Sequence, residues 1–155
     1  MNQKGGCEEL ANIRKALPED LASIAEYYGP KGDTPWDPFT SEDRLGQMIE
    51  LKDLVIAEAD GSLVGFVYFF VGEHPWFEPE VGRYGHVLEV HVKKDYQGMG
   101  IATEMLEYAT TDLKKRGVEV VYIDTGSNNA KARHLYEKMG FREFGRTLHF
   151  KKALI

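Results

Sequence analysis

Apolar residues along the chain recur at two spacings, every second position or every third and fourth, and each change of spacing marks a new element. Residues 11–16 read as a short first strand. Pro18, Glu19 and Asp20 open a helix, proline and acids suiting a first turn, with Leu21, Ile24, Ala25 and Tyr28 as its apolar stripe and Gly29-Pro30 as its stop. Residues 31–39, rich in proline and glycine, read as loop. Thr40, Ser41, Glu42 and Asp43 cap a second helix whose inward face is Leu45, Met48 and Ile49. Two strands, 53–59 and 62–71, flank the hairpin turn Asp60-Gly61. A loop over 72–83 holding His74-Pro75-Trp76-Phe77 leads to a strand over 84–92. The pattern then predicts a helix over 100–116 ended by Gly117, a strand over 118–124, a helix over 128–139 and a last strand or strand pair over 142–153. Hairpin-linked strands followed by strand–helix–strand crossovers imply a mixed sheet with helices on both faces.

The join between the strand ending at Val92 and the next helix reads Lys93-Lys94-Asp95-Tyr96-Gln97-Gly98-Met99-Gly100-Ile101-Ala102. A glycine-rich turn at such a join directs unpaired backbone N–H groups into one concavity, with the positive end of the helix dipole behind them. It predicts an anion site, and a phosphate fits best. A P-loop requires Gly-Lys and then Ser or Thr, but Ile101 and Ala102 follow Gly100. A dinucleotide fingerprint requires a third glycine close to the strand end. Thr103 stands in its place, and five residues separate Val92 from Gly98, although Asp124 could tempt a reader to see a ribose-binding acid.

At 155 residues the chain has the length of one domain with one sizeable core, and its 43% apolar and 12% aromatic content is globular. The longest apolar run, 63–72, is too short to span a bilayer, and no basic-then-apolar leader opens the chain, so a cytoplasmic protein without a membrane partner is expected. The single cysteine, Cys7, excludes an internal disulfide and a thiol cluster; no metal is expected. A net charge of −6 argues against nucleic acid. Acidic residues gather over 33–43 and at Glu73, Glu78 and Glu80, which beside a cleft would favour a cationic substrate.

Gln97, Gly100 and Ala102 form the pattern Gln-x-x-Gly-x-Ala. Asn129, Ala132, Leu135, Tyr136, Gly140 and Phe141 form a second signature, and Val87-Leu88-Glu89-Val90-His91-Val92 looks like a fourth strand. On these residues the chain resembles the GCN5-related N-acetyltransferases over 11–153. The resemblance implies an α/β (α+β) fold: a single domain over 11–155 behind a flexible tail at 1–10, with a mixed, mostly antiparallel sheet of six to seven strands, splayed at its centre. It implies acetyl-CoA as donor, with no metal, and an amine as acceptor. Backbone of Val90 and Val92 would pair with the pantetheine arm, and the N–H of Val90 or His91 would polarise the thioester carbonyl. Amides from Gln97 through Gly98, Gly100, Ile101, Ala102 and Thr103 would hold the pyrophosphate, the glycines letting the backbone approach. Asn129 would bond the pantetheine amide, with a helix cap as its plain alternative, a role that Asn128 could also fill. Tyr136 would protonate the departing thiolate. Lys131 and Arg133 are candidates for the nucleotide phosphate or for simple solvation.

An ammonium must lose a proton before its nitrogen can attack, so a base is required. Glu89, His86 and then Asp124 are the candidates, with His91 behind them. Strict alternation puts His86 and Leu88 on one face and Glu89 and His91 on the other; a bulge would break that parity. The acidic loops and the neighbourhoods of Trp36 and Trp76 point to a small amine such as a diamine or amino acid, and the Pro-Trp segment resembles diamine and thialysine acetyltransferases. Protein or peptide amines stay open, as does a non-catalytic acyl-CoA-binding module. The short tail after Phe141 leaves a single last strand, or one completed by a second copy in a homodimer.

Overall fold

The structure, a computed structural model, describes residues 10–28 and 41–155. Cys7, the stop at Gly29-Pro30, the loop over 31–39 with Trp36, and the first part of the acidic stretch lie outside the described residues. Two compact units are present, Met1–Asp124 and Thr125–Ile155.

The first unit carries β1 (Asn12–Lys15), α1 (Leu21–Tyr28), α2 (Glu42–Glu50), β2 (Leu54–Ala59), β3 (Ser62–Glu73), β4 (Arg83–Val92), α3 (Ile101–Lys115) and β5 (Val120–Ile123). The strands form one five-stranded sheet in chain order, antiparallel from β1 to β4 and parallel between β4 and β5. The order follows from the connections. A two-residue hairpin joins β2 to β3, a longer turn joins β3 to β4, α1 and α2 lie between β1 and β2, and α3 makes the crossover that a parallel pair requires. Asp60 and Gly61 both have positive φ, the twist that a two-residue hairpin needs. A short 3-10 turn, Pro18–Asp20, leads into α1, and the Ser41 hydroxyl accepts the Arg44 N–H at the head of α2.

Each face of the sheet is covered. On one side α1 and α2 bury Ile24, Tyr27, Leu45, Met48 and Ile49 against Leu54, Ile56, Phe66 and Tyr68. The stripe of α1 thus turns on Tyr27. On the other side α3 packs across β1 to β4 and buries Ile101, Met105, Leu106, Ala109 and Leu113, the four larger side chains each stabilising the fold by ~2 kcal/mol. Beneath α3, Arg116 lies 2.9 Å from the buried Asp53 carboxylate and Lys15 lies 2.6 Å from Asp112, both cations over the Phe69 ring. Burial pushes the Asp53 carboxyl up, and Arg116 holds it back. No described helix is long and apolar enough to cross a membrane.

The second unit carries α4 (Ala130–Lys138), closed by Gly140 at φ 92° and by the Phe141 N–H bonding the Tyr136 carbonyl. The expected strand or strand pair over 142–153 does not form, and five strands replace the expected six to seven among the described residues. A strand exists only through pairing, and Gly145 interrupts an already weak alternation; residues 141–155 carry no regular secondary structure.

Candidate active site

Four features of the first unit build the site: the end of β4–β5 pairing, the bulge in β4, the glycine turn and the β3–β4 turn. The parallel pairing runs from Tyr84 opposite Val120 to Val87 opposite Ile123, where β5 ends; β4 continues through Leu88 to Val92. The pairing stops there because β5 ends, and among the described residues β5 is the edge strand of the sheet instead of one of two splayed central strands. The Lys93 N–H bonds the Val64 carbonyl at 2.8 Å. Backbone groups alternate along a strand, so the amides of His91 and Glu89 also point at β3, and those of Val90 and Val92 point the other way, past the end of β5.

The bulge decides which side chains meet. Along β3, Phe66, Tyr68, Phe70 and Gly72 share one face, and their register partners are His91, Glu89, His86 and Tyr84. Leu88 is the extra residue, 41% exposed, between Val87 opposite Phe69 and Glu89 opposite Tyr68. Strict alternation would have parted His86 from Glu89 and His91. The bulge puts all three on the face covered by α1 and α2. A cleft of about 540 Å³ opens on this face, lined by Met48, Tyr68, Phe70 and Leu88 together with Asp43 and Arg44.

His86 Nε2 lies 2.6 Å from the Asp124 carboxylate, His86 being half-buried and Asp124 81% exposed. The imidazole packs against Phe70 and Tyr122, with ring centroids at 5.5 and 6.4 Å. His91 is engaged differently: it stacks on Phe66, its Nδ1 lies 2.6 Å from the Tyr27 hydroxyl, and the Lys93 ammonium covers the Tyr27 ring. That network makes His91 part of the core wall.

Past β4, a 3-10 turn (Lys94–Tyr96) brings in Gln97, whose side-chain N–H donates to the Val92 carbonyl at 2.9 Å and pins the loop to the strand end. Gly98 and Gly100 have φ of 76° and 87°. Among the described residues, chain neighbours aside, no atom lies within 4 Å of a Cβ built on either, so it is the left-handed backbone that calls for glycine. Gly100 is the N-cap of α3, and without a side-chain cap on that end the amides of Ile101, Ala102 and Thr103 point outward. This donor set, all backbone N–H at a positive helix end, fits a pyrophosphate.

The second unit holds Asn129 and Tyr136. The Asn129 side-chain oxygen accepts the Ala132 N–H at 3.1 Å and caps α4, which commits the oxygen to the helix and leaves the amide nitrogen as a donor. Tyr136 packs edge-on to Phe141, and burial pushes its phenol above the ordinary value. Arg133 donates to the Ser127 carbonyl. Sequence reasoning missed Tyr122. It is 5% exposed, stands opposite His86 in the register, and donates to the Glu78 carboxylate at 2.6 Å. Burial and Glu78 push its phenol up to about 12. Only the β4–β5 register discloses it.

The model of the acetyltransferase (GNAT) family matches residues 19–141. The chain belongs to this family. An N-alpha-acetyltransferase of Sulfurisphaera tokodaii is 30% identical over 105 residues, covering 61% of this chain and 59% of that protein. The ribosomal protein bS18 alanine N-acetyltransferase of Escherichia coli K12 is 37% identical over 57 residues, covering 37% of this chain and 38% of that protein. The chain spans less than two thirds of the length of the first curated relatives it matches, from 21% to 59%. The structure of AAC(6')-Iy in complex with the bisubstrate analogue CoA-S-monomethyl-acetylneamine shares the fold, with TM-score 0.71 and 17% identity over 92% of this chain and 98% of that one. Both signatures, Gln97 to Ala102 and Asn129 to Phe141, fall inside the matched residues.

Proposed function

We propose that the protein moves an acetyl group from acetyl-CoA to a primary amine by direct transfer in a ternary complex, within one functional domain over residues 11–155. The observation that carries this reading is the continuity of β4, the glycine turn and α3. A strand edge running past the end of β5 leads straight into a backbone anion cradle. Val90 and Val92 would pair with the pantetheine arm, and Gly98, Gly100, Ile101, Ala102 and Thr103 would hold the pyrophosphate. Because the His91 amide points at β3, Val90 is the donor to the thioester carbonyl. The Asn129 amide nitrogen would bond the pantetheine.

On the acceptor side, the His86–Asp124 pair takes the proton. With the proton of the neutral ring on Nε2 and shared with Asp124, Nδ1 is the basic nitrogen, and Asp124 stabilises the imidazolium that forms. The amine nitrogen bonds the carbonyl carbon, the C–S bond breaks, the Tyr136 phenol protonates the thiolate, and the second proton shed by the nitrogen goes to solvent, from which Tyr136 is reprotonated. The raised Tyr136 pKa keeps that proton in place at neutral pH. Glu89 is the second candidate for the base, favoured by its place just beyond the end of β5 on the face of His86.

A small amine such as a diamine or amino acid is one acceptor, favoured by the acidic residues Glu73, Glu78 and Glu80 of the β3–β4 region; the relatives named for alanine and alpha-amino acetylation favour the amino terminus of a protein. Free CoA release from acetyl-CoA, measured with diamines, amino acids and peptides in turn, tests the reading. We expect release with at least one amine, and Tyr136→Phe should cut turnover about a hundredfold with acetyl-CoA binding unchanged. Acetyl-CoA binding without release on any amine would make the protein a binding module, and unchanged turnover in the variant would take the acid role from Tyr136.

A further inference from the structure

The glycine turn has to hold its amides in place with little packing to help it. Gly98 and Gly100 are exposed, and Met99 between them is 53% exposed. Any residue that became ordered only when the anion arrived would subtract its lost freedom from the binding energy. At one end the turn is fixed by α3, where the Glu104 N–H bonds the Gly100 carbonyl at 3.0 Å. At the other, the Lys93 N–H is held by Val64. Between these ends stands Tyr96, the last residue of the 3-10 turn. Its hydroxyl donates at 2.8 Å to the carboxylate of Asp60, 36 residues back at the tip of the β2–β3 hairpin. That bond pushes the Tyr96 phenol up and keeps its proton in place.

The hairpin tip is itself well anchored. Asp60 and Gly61 hold the turn at φ of 51° and 73°. Glu58, two residues before the tip, lies 2.6 Å from Arg14, whose guanidinium also forks onto Asp20 at 2.6 and 2.9 Å. A cleft of about 380 Å³ runs between α1, Gly61, Ser62 and Lys93, so along this side packing among the described residues does not join the tip to the start of the loop. The Tyr96–Asp60 bond does. A carboxylate this near an anion site weakens it by repulsion, so what Asp60 contributes is the bond it accepts. We infer that Tyr96 is a positioning residue for the acyl donor, and that Asp60, acting through it, holds the pyrophosphate cradle in its binding shape before the ligand arrives. The inference rests on the acetyltransferase reading above and extends the donor site to a hairpin that does not line it.

Titration calorimetry with CoA on three variants tests this. Asp60→Gly cuts the bond and suits the positive φ of the tip, and Tyr96→Phe cuts it from the other side. Asp60→Asn keeps an acceptor oxygen on a residue that also tolerates that φ. The first two should raise the CoA Kd about threefold to tenfold, and the double variant no further than either alone. Asp60→Asn should bind CoA at least as tightly as the wild type. With an amine that supports CoA release, the acetyl-CoA KM should follow the Kd while kcat and the amine KM hold steady. A merely structural role would move the amine constants as well, and that result overturns the inference. An unchanged Kd in Asp60→Gly and Tyr96→Phe also overturns it, as does an Asp60→Asn as weak as Asp60→Gly; the acetyltransferase reading survives all three. A wild-type protein that does not bind CoA removes both.

Discussion

In the proposed reading the protein offers main chain to its acyl donor from Val90 to Thr103, and side chains to its acceptor from His86 to Asp124. The donor half would use two left-handed glycines, the amides of one helix head and the alternating groups of one strand edge. The acceptor half would use His86, Asp124 and Glu89, with Tyr122 packed against His86. Main-chain sites recognise what every acyl-CoA has in common. Side-chain sites can be rewritten one residue at a time, so a family can keep its donor while changing its acceptor.

The comparison predicts that each half fails separately. The largest effect belongs to His86→Ala: kcat/KM for the amine should fall about 10²-fold to 10⁴-fold, with the acetyl-CoA KM unchanged. An unchanged kcat/KM would pass the base to Glu89, which Glu89→Gln then tests. Next comes Gly100→Ala. Forcing a Cβ into the left-handed region costs ~1–2 kcal/mol, so the acetyl-CoA KM should rise about tenfold with acceptor constants steady. Equal movement of both constants would show that the halves are coupled. The smallest effect concerns stability. The Tyr122 phenol sits near 12 in the folded chain and near 10 in the unfolded one, so the folded state keeps its proton longer and stability falls as pH rises through that window. Tyr122→Phe should flatten this alkaline loss, measured as the urea midpoint at roughly pH 9 and pH 11. An equal slope in both proteins would place the cause elsewhere.

The two halves also differ in how far the sequence disclosed them. Local patterns were readable: Ser41 and the Leu45, Met48 and Ile49 face of α2 stand as expected, as do the Asp60-Gly61 turn and the head of α3 at Gly100. Each depends on neighbours in the chain. What depends on pairing was not readable. The bulge at Leu88 follows from β3 register, the His86–Asp124 contact and the place of Tyr122 follow from β5, and the strand expected over 142–153 lacks the pairing that would make it one. A single chain of letters carries periodicity, whereas register is a relation between two segments.

Leu88 is the residue that the pairing leaves out: its side chain stands partly in water, opposite no residue of β3. Were it paired instead of bulged, the remainder of β4 would turn over, sending the Glu89 carboxylate and the His91 imidazole into the layer of Met105 and Leu106 and the valines into the cleft. Were it deleted, Val87 and Glu89 would become neighbours and keep Phe69 and Tyr68 as partners, so both faces would survive without the bulge. The strand thus absorbs a change of one residue in length by leaving one side chain in water.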